Sequence, residues 1–321
     1  MTPDTPVLLD ALTVEVRAAA HPDTGGAACA CGTSPLADRP DATVVRHADT
    51  VAKAHASDTD PAELALRLAT AARLPDVLLA PLTTTPATLH DRLVTFWPYG
   101  APVDPDDPAA APWEAAATLL ARLHRTPPPA PLPPMRGPAK VAHAIRRLRT
   151  AVSTAPRPAA SAVPAVLRAW QALPAWARGE APMPGTLALC HGDLHLGQLV
   201  RRPAPDGPWL LIDVDDLGVG VPAWDLARPA SWYACGLLPP EEWTRFLTAY
   251  REAGGPAVPT DGDPWPALDV SARALTVQTA ARALTKALAA ERPLDEVEQA
   301  LVDACARMSS IPHQLTRGFR A

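Results

Sequence analysis

The stretch from Leu187 to Pro222, LALCHGDLHLGQLVRRPAPDGPWLLIDVDDLGVGVP, constrains the chain more than any other. Two short apolar runs, Leu187–Cys190 and Trp209–Ile212, each end in a polar, acid-bearing cluster. The first cluster is His191-Gly192-Asp193-Leu194-His195-Leu196-Gly197-Gln198; the second is Asp213-Val214-Asp215-Asp216-Leu217-Gly218. Apolar runs of roughly four to six residues bounded by turn residues predict buried strands. Joined through the turn from Pro203 to Pro208, the two strands are expected to lie close together and to bring Asp193, Gln198 and Asp213 to one spot.

Such a spot suits phosphoryl transfer. The reaction needs a carboxylate to orient and deprotonate a hydroxyl, and oxygen ligands that hold Mg²⁺ against nucleotide phosphates. Taken singly, either aspartate is equally a turn residue capping a strand; their order and spacing carry the argument. The segment resembles the catalytic loop and metal-binding segment of the aminoglycoside phosphotransferase and choline kinase-like family, distant relatives of the protein kinases. That family's pattern is H-G-D-x-x-x-x-N, then I-D-x-x-D/E-x-G-x-G-D-P-x-x-D-L-A. The sequence matches it at His191, Gly192, Asp193, Ile212, Asp213, Asp216, Gly218, Gly220, Pro222, Asp225, Leu226 and Ala227. It departs at Gln198, where the family usually has Asn, and at Val221, where it usually has Asp. Gln offers the same amide oxygen on a longer stem, and the H-G-D-x-H-x-G-Q form resembles the family's sugar-kinase branch, so Gln198 is read as a metal ligand. Val221 is expected to remove a hydrogen bond in the loop and to leave the chemistry alone.

The resemblance implies an α+β, two-lobed protein-kinase-like fold. A small antiparallel sheet lobe with one key helix is expected over 1–100, binding nucleotide. A larger, mostly helical lobe is expected over 101–321, carrying catalysis and the acceptor. ATP and Mg²⁺ are the implied cofactors. Asp193 would act on the acceptor hydroxyl, His191 would brace the loop and His195 would face the acceptor. Asp213 and Gln198 would hold the metal, and Asp225 would brace the catalytic loop from behind.

Composition excludes several classes. A net charge of −5 provides no field that would recruit nucleic acid, and no stretch approaches the roughly 20 apolar residues of a membrane span. The opening residues MTPDTPVLLD lack the regions of a secretory signal, and five cysteines without a framework spacing fit a reducing compartment, so a cytoplasmic location is expected. Cys29-Ala30-Cys31 has half of a metal pattern, but nothing near it in sequence supplies other ligands, and the pair is read as incidental.

Residues 8–56 alternate short apolar runs with turn clusters, as a small sheet would, with the clearest hairpin at Ala42–Ala48 and Thr50–Ala56. Lys53 lies inside its second strand and is one of only three lysines among 29 cations. A compact ammonium suits nucleotide phosphates, although a surface strand lysine is the plainer reading. Asp60-Pro61 signals a helix start; the resemblance implies that a glutamate on this helix pairs with the lysine, and Glu63 on its first turn is the candidate, with a plain partner of the helix dipole the alternative. Two strands are expected at Val77–Ala80 and Leu89–Trp97. Phe96, Trp97 and Tyr99, where the resemblance places the hinge between lobes, are candidates for the nucleotide slot, with core packing the alternative. No Gly-rich phosphate loop is present; Thr33 and Ser34 are weak candidates for phosphate contact.

From Pro112 the texture is helical: Trp113–His124, Lys140–Ser153, Ala162–Arg178, Glu241–Glu252, Trp265–Ala290 and Leu294–Met308, with a proline-rich connection over 126–138. A sugar, an amino sugar or another small hydroxylated metabolite is the expected acceptor. The alternatives are a peptide Ser/Thr kinase of lanthipeptide-type maturation acting with a partner enzyme, an aminoglycoside-resistance kinase, and a nucleotide-binding pseudokinase scaffold. The basic run at 313–320 argues against polycationic antibiotics.

Overall fold

The computed structural model describes residues 5–24, 29–39, 41–129, 131–154 and 162–310. The chain divides into two units: Met1–Pro112 with Pro129–Pro133 and Leu196–Asp215, and Trp113–Pro128 with Pro134–His195 and Asp216–Ala321.

The first unit opens on a helix, α1 (Thr5–Ala20), where the alternation of the sequence predicts strands. The helical period explains the difference. Leu8, Leu12 and Val16 recur every fourth residue and are buried against Val45, Ala52, Ala54 and Val94 of the sheet. Burying one such aliphatic side chain is worth about 1.5–3 kcal/mol, enough to override local strand preference. The sheet contains β1 (Thr33–Arg39), β2 (Ala42–His47), β3 (Thr50–Ala54), β4 (Ala87–Leu89) and β5 (Arg92–Pro98), antiparallel, in the order β1-β2-β3-β5-β4. β2 and β3 form the expected hairpin, turning through Ala48 at φ 51°. The single strand expected over Leu89–Trp97 is instead a second hairpin, β4–β5, because His90 takes φ 54° and reverses the chain. Val77–Ala80 is no strand either; Leu78 makes an isolated bridge to Leu211, and the Leu79 N–H donates to the Leu211 carbonyl at 2.8 Å. Helix α2 (Pro61–Ala72) starts as expected. The Asp60 carboxylate accepts from the Ala62 and Glu63 N–H groups at 2.8 and 2.9 Å, a cap worth about 1 kcal/mol.

A two-residue strand, β6 (Ala101–Pro102), closes this part of the chain. The segment 187–222 then supplies four short strands: β7 (Ala188–Cys190), β8 (Leu199–Arg201), β9 (Trp209–Leu211) and β10 (Gly218–Gly220). Its two apolar runs, expected as neighbours, do not pair with each other. In the first unit β9 pairs with β8, and β8 with β6; in the second, β7 pairs with β10 through Cys190↔Gly218. The chain changes unit after His195 and again after Asp215, so each run finds its partner inside its own unit. For the same reason residues 196–215 belong with the N-terminal residues and not with the helical part.

The second unit holds α3 (Trp113–Arg125), α4 (Gly137–Thr154), α5 (Val163–Ala172), α6 (Ala227–Ala234), α7 (Pro240–Glu252), α8 (Trp265–Ala289) and α9 (Glu296–Ser310). α8 is buried on most sides, with Ala274, Val277, Ala280, Ala281 and Leu284 in a core shared with Ile145, Leu148, Val166 and Leu301. Its many alanines let the neighbouring helices approach closely. Among the described residues no helix is long and apolar enough to cross a membrane. The basic run at 313–320 and the glycines Gly25 and Gly26 lie outside the described residues.

Candidate active site

In the first unit, alternation along β3 turns Lys53 away from the buried Ala52 and Ala54. Its Nζ donates to Asp213 Oδ1 at 2.7 Å and to Asp215 Oδ2 at 2.9 Å. Burial pulls the ammonium down, but the two carboxylates outweigh it and raise Lys53 above its ordinary value. Burial likewise pushes Asp215 up, and Lys53 with His55, whose Nδ1 stands 3.1 Å from Asp215 Oδ1, brings it well below the carboxylate range. Gln198 Nε2 donates to Asp213 Oδ2 at 3.2 Å, and the Ile212 N–H donates to the Gln198 carbonyl at 2.9 Å, which ties the two segments together. Asp213 itself sits at φ 65°, a left-handed conformation that aspartate adopts more readily than most non-glycine residues. With its amide turned over, Gln198 would add an oxygen to the carboxylates of Asp213 and Asp215, a hard donor set of the kind Mg²⁺ takes. Asp213 and Gln198, the metal ligands expected from sequence, are thus brought together.

The expected partnership of Lys53 with Glu63 is not formed. Glu63 pairs with Arg67 one turn along its own helix at 3.0 Å and is about half-exposed. First-turn placement on α2 leaves it within reach of the i+4 guanidinium, while Asp213 and Asp215 take the lysine. Of the three aromatic residues proposed for the nucleotide slot, Phe96 packs against the α1 cluster. Trp97 is buried with its indole N–H on Thr95 Oγ1 at 2.9 Å. The Tyr99 ring lies 3.4 Å under the Arg46 guanidinium; its backbone N–H donates to the Asp49 carbonyl and its carbonyl accepts from Arg202. Thr33 is engaged by His47 at 2.7 Å.

In the second unit the H-G-D turn follows β7. Gly192 takes φ +87°, and a Cβ there would stand 2.5 Å from the Asp216 carbonyl oxygen, so only glycine fits. The next residue, Asp193, is held by two cations. Lys140 Nζ donates to its Oδ2 at 2.6 Å and Arg228 Nη2 to its Oδ1 at 2.5 Å. Lys140 also reaches Asp216 Oδ2 at 2.6 Å, and Arg228 Nε holds the Leu194 carbonyl at 2.8 Å. Burial raises the Asp193 carboxyl; Lys140 and Arg228, with a smaller contribution from the half-exposed His195, more than reverse this and hold it well below the usual range. Lys140 is depressed by burial and lifted further by Asp216 and Asp193, so it stays charged.

Behind the loop lies a fully buried chain of polar groups. Asp225 accepts from the His191 N–H at 2.6 Å and the Gly192 N–H at 2.7 Å, and from His124 Nε2 at 3.0 Å. A carboxylate only accepts, so His124 Nε2 carries a proton, and in the neutral ring Nδ1 then accepts from the Tyr250 hydroxyl at 2.7 Å. The hydroxyl oxygen in turn accepts the Ala257 N–H at 3.0 Å. Every member has one consistent direction. Asp225 and the backbone of His191 and Gly192 are thus brought together. The departure at Val221 has a structural counterpart: it opens the short turn Pro222–Trp224 without any side-chain cap.

Sequence reasoning missed Lys140, Arg228 and Asp215. Lys140 had a usable signal, since it is one of the same three lysines whose rarity singles out Lys53. Arg228 had none beyond following the D-L-A run.

Comparison with known proteins completes the picture. No curated protein matches the chain. Among solved structures, a choline/ethanolamine kinase family protein from Mesorhizobium loti is 18% identical, with a TM-score of 0.58 over 94% of this chain and 96% of that one. A choline kinase from Cryptosporidium parvum is 11% identical, with a TM-score of 0.59 over 98% and 97%. A spectinomycin phosphotransferase in complex with ADP and spectinomycin is 14% identical, with a TM-score of 0.54 over 87% and 89%. These likenesses show a protein-kinase-like α+β fold of two lobes. The model of the phosphotransferase enzyme family matches residues 36–269, which include Lys53, Asp193, Gln198, Asp213 and Asp225, and the chain belongs to that family.

Proposed function

We propose that the protein moves the γ-phosphate of ATP, with Mg²⁺, to a hydroxyl of a sugar, an amino sugar or another small hydroxylated metabolite. The observation that carries this reading is Asp193, a carboxylate kept ionised between Lys140 and Arg228 on a loop whose backbone is pinned by buried Asp225. So acidic a group is a weak base. It suits a transition state in which little proton transfer is needed early and positioning of the hydroxyl does most of the work. Lys140 and Arg228 are the charges available to the transferring group. Asp213 and Gln198 would hold Mg²⁺, which when bound neutralises nucleotide phosphates. Lys53 would exchange a carboxylate for phosphate oxygens. In this reading the first unit serves the nucleotide and the second the acceptor.

Family membership supports a phosphotransferase acting on an alcohol. The names of the similar structures cover choline, ethanolamine and spectinomycin, which supports a small acceptor over a peptide. The test is a panel of sugars, amino sugars, aminoglycosides, choline, ethanolamine and serine peptides with Mg²⁺ and ATP, read by the mass gain of one phosphate. Asp193→Ala is expected to abolish transfer while ATP binding persists; near-normal turnover of that variant would remove Asp193 from the mechanism.

A further inference from the structure

The Cys29-Ala30-Cys31 pair has the partners that its sequence neighbourhood lacks. His21, just past the end of α1, and His47, the last residue of β2, converge on it. The four ligand atoms of His21, Cys29, Cys31 and His47 all lie within 4.8 Å of one another. We infer that these four residues bind one Zn²⁺ ion in the first unit, separate from the phosphotransfer residues.

Geometry is the first argument. Zinc bonded to nitrogen at about 2.0–2.1 Å and sulfur at about 2.3 Å in a tetrahedron sets its ligand atoms roughly 3.3–3.8 Å apart. His21 Nε2 and His47 Nε2 stand 3.2 Å apart, and Cys29 Sγ is 3.1 Å from the same His47 nitrogen. A modest outward adjustment would admit the ion. The imidazole rings meet edge to face, with centroids 5.2 Å apart and an interplanar angle of 80°, which directs two nitrogens to one point without stacking the rings.

Hydrogen bonding is the second argument. His47 is fully buried, and its Nδ1 lies 2.7 Å from Thr33 Oγ1. When Nδ1–H donates to that hydroxyl, Nε2 is left with a lone pair aimed at His21 and Cys29. A zinc-bound histidine usually donates its other ring N–H to an oxygen acceptor that fixes the ring, and the Thr33 hydroxyl oxygen serves that role here. Without a cation, that one lone pair faces both a second imidazole nitrogen and a thiol, and it cannot accept well from both.

Chemistry selects the ion. Two thiolates and two neutral imidazoles match tetrahedral zinc and disfavour Mg²⁺ or Ca²⁺, which want oxygen. Four protein ligands leave no open position, so the ion is structural. It would fasten the end of α1 to the β1–β2 edge of the sheet. Cys29 and Cys31 are exposed, so loading needs no opening of the core.

The full chain, expressed without a polyhistidine tag in zinc-supplemented medium and purified under reducing conditions without chelator, should carry about one zinc per chain by elemental mass spectrometry. Cobalt added to chelator-stripped protein should give the visible bands of tetrahedral Co²⁺ and a thiolate charge-transfer band. The Cys29→Ser/Cys31→Ser variant, at two exposed positions, should stay folded by circular dichroism and lose both signals. Thr33→Val, which removes only the partner of Nδ1, should weaken zinc binding about 10–100-fold. A folded wild-type chain that takes up neither zinc nor cobalt would overturn the assignment. So would a Cys29–Cys31 disulfide, iron with inorganic sulfide, or a double serine variant that keeps its zinc. Metal content is the readout, so the result is independent of whether any acceptor is phosphorylated.

Discussion

Replacing Asp225 by Asn tests the claim that one buried carboxylate holds the catalytic loop. The side chain is 1% exposed and accepts three hydrogen bonds, two at Oδ2 from His191 N–H and His124 Nε2, and one at Oδ1 from Gly192 N–H. Asn keeps one acceptor oxygen. Placed at the Oδ2 position, that oxygen retains two bonds, and the amide NH₂ is turned against the Gly192 N–H, donor to donor. Losing a charge-assisted hydrogen bond costs about 1.5–3 kcal/mol, and a buried N–H without an acceptor costs about 1–3 kcal/mol. The two overlap, so a loss of about 2–4 kcal/mol is expected. Urea unfolding followed by fluorescence of the nine tryptophans measures it. Tyr250→Phe, which removes the donor to His124 Nδ1, should couple to Asp225→Asn by about 0.5–3 kcal/mol in a double-mutant cycle. A loss below about 1 kcal/mol for Asp225→Asn, or strict additivity with Tyr250→Phe, would refute the picture of one continuous polar chain.

Lys53→Met should raise the KM for ATP about tenfold or more, whereas Glu63→Ala, which disturbs only the part-buried pair with Arg67, should change kcat/KM less than about twofold; equal effects would restore the Lys53–Glu63 pairing. Because Asp193 and Asp215 are held below their unfolded values, the stability they contribute is present above about pH 4 and is lost as pH falls below it. Asp193→Asn should therefore flatten the acid side of the stability curve, and an unchanged slope in acid unfolding would contradict it. Val221→Asp supplies the missing acceptor at the start of the Pro222–Trp224 turn and should stabilise the protein by about 0.5–1 kcal/mol in the same urea assay.

Local rules made much of this protein legible in one dimension. The cap at Asp60, the hairpin of β2 and β3, and the helical periods of α3 and α7 follow from the conformations their residues favour. So did the order of polar clusters around Asp193 and Asp213, because a strand end and a glycine that tolerates φ +87° are local requirements. What the sequence left open was which side chain meets which. Lys53 could be assigned to Glu63 ten residues away, yet Asp213 and Asp215, about 160 residues away, take it. α1 reads as strand until the sheet that buries Leu8, Leu12 and Val16 is present. Cys29 and Cys31 look like an unfinished motif until α1 and β2 bring His21 and His47 beside them. In each case the deciding energy is burial or charge pairing between segments far apart in the chain. Tertiary structure alone brings such segments together.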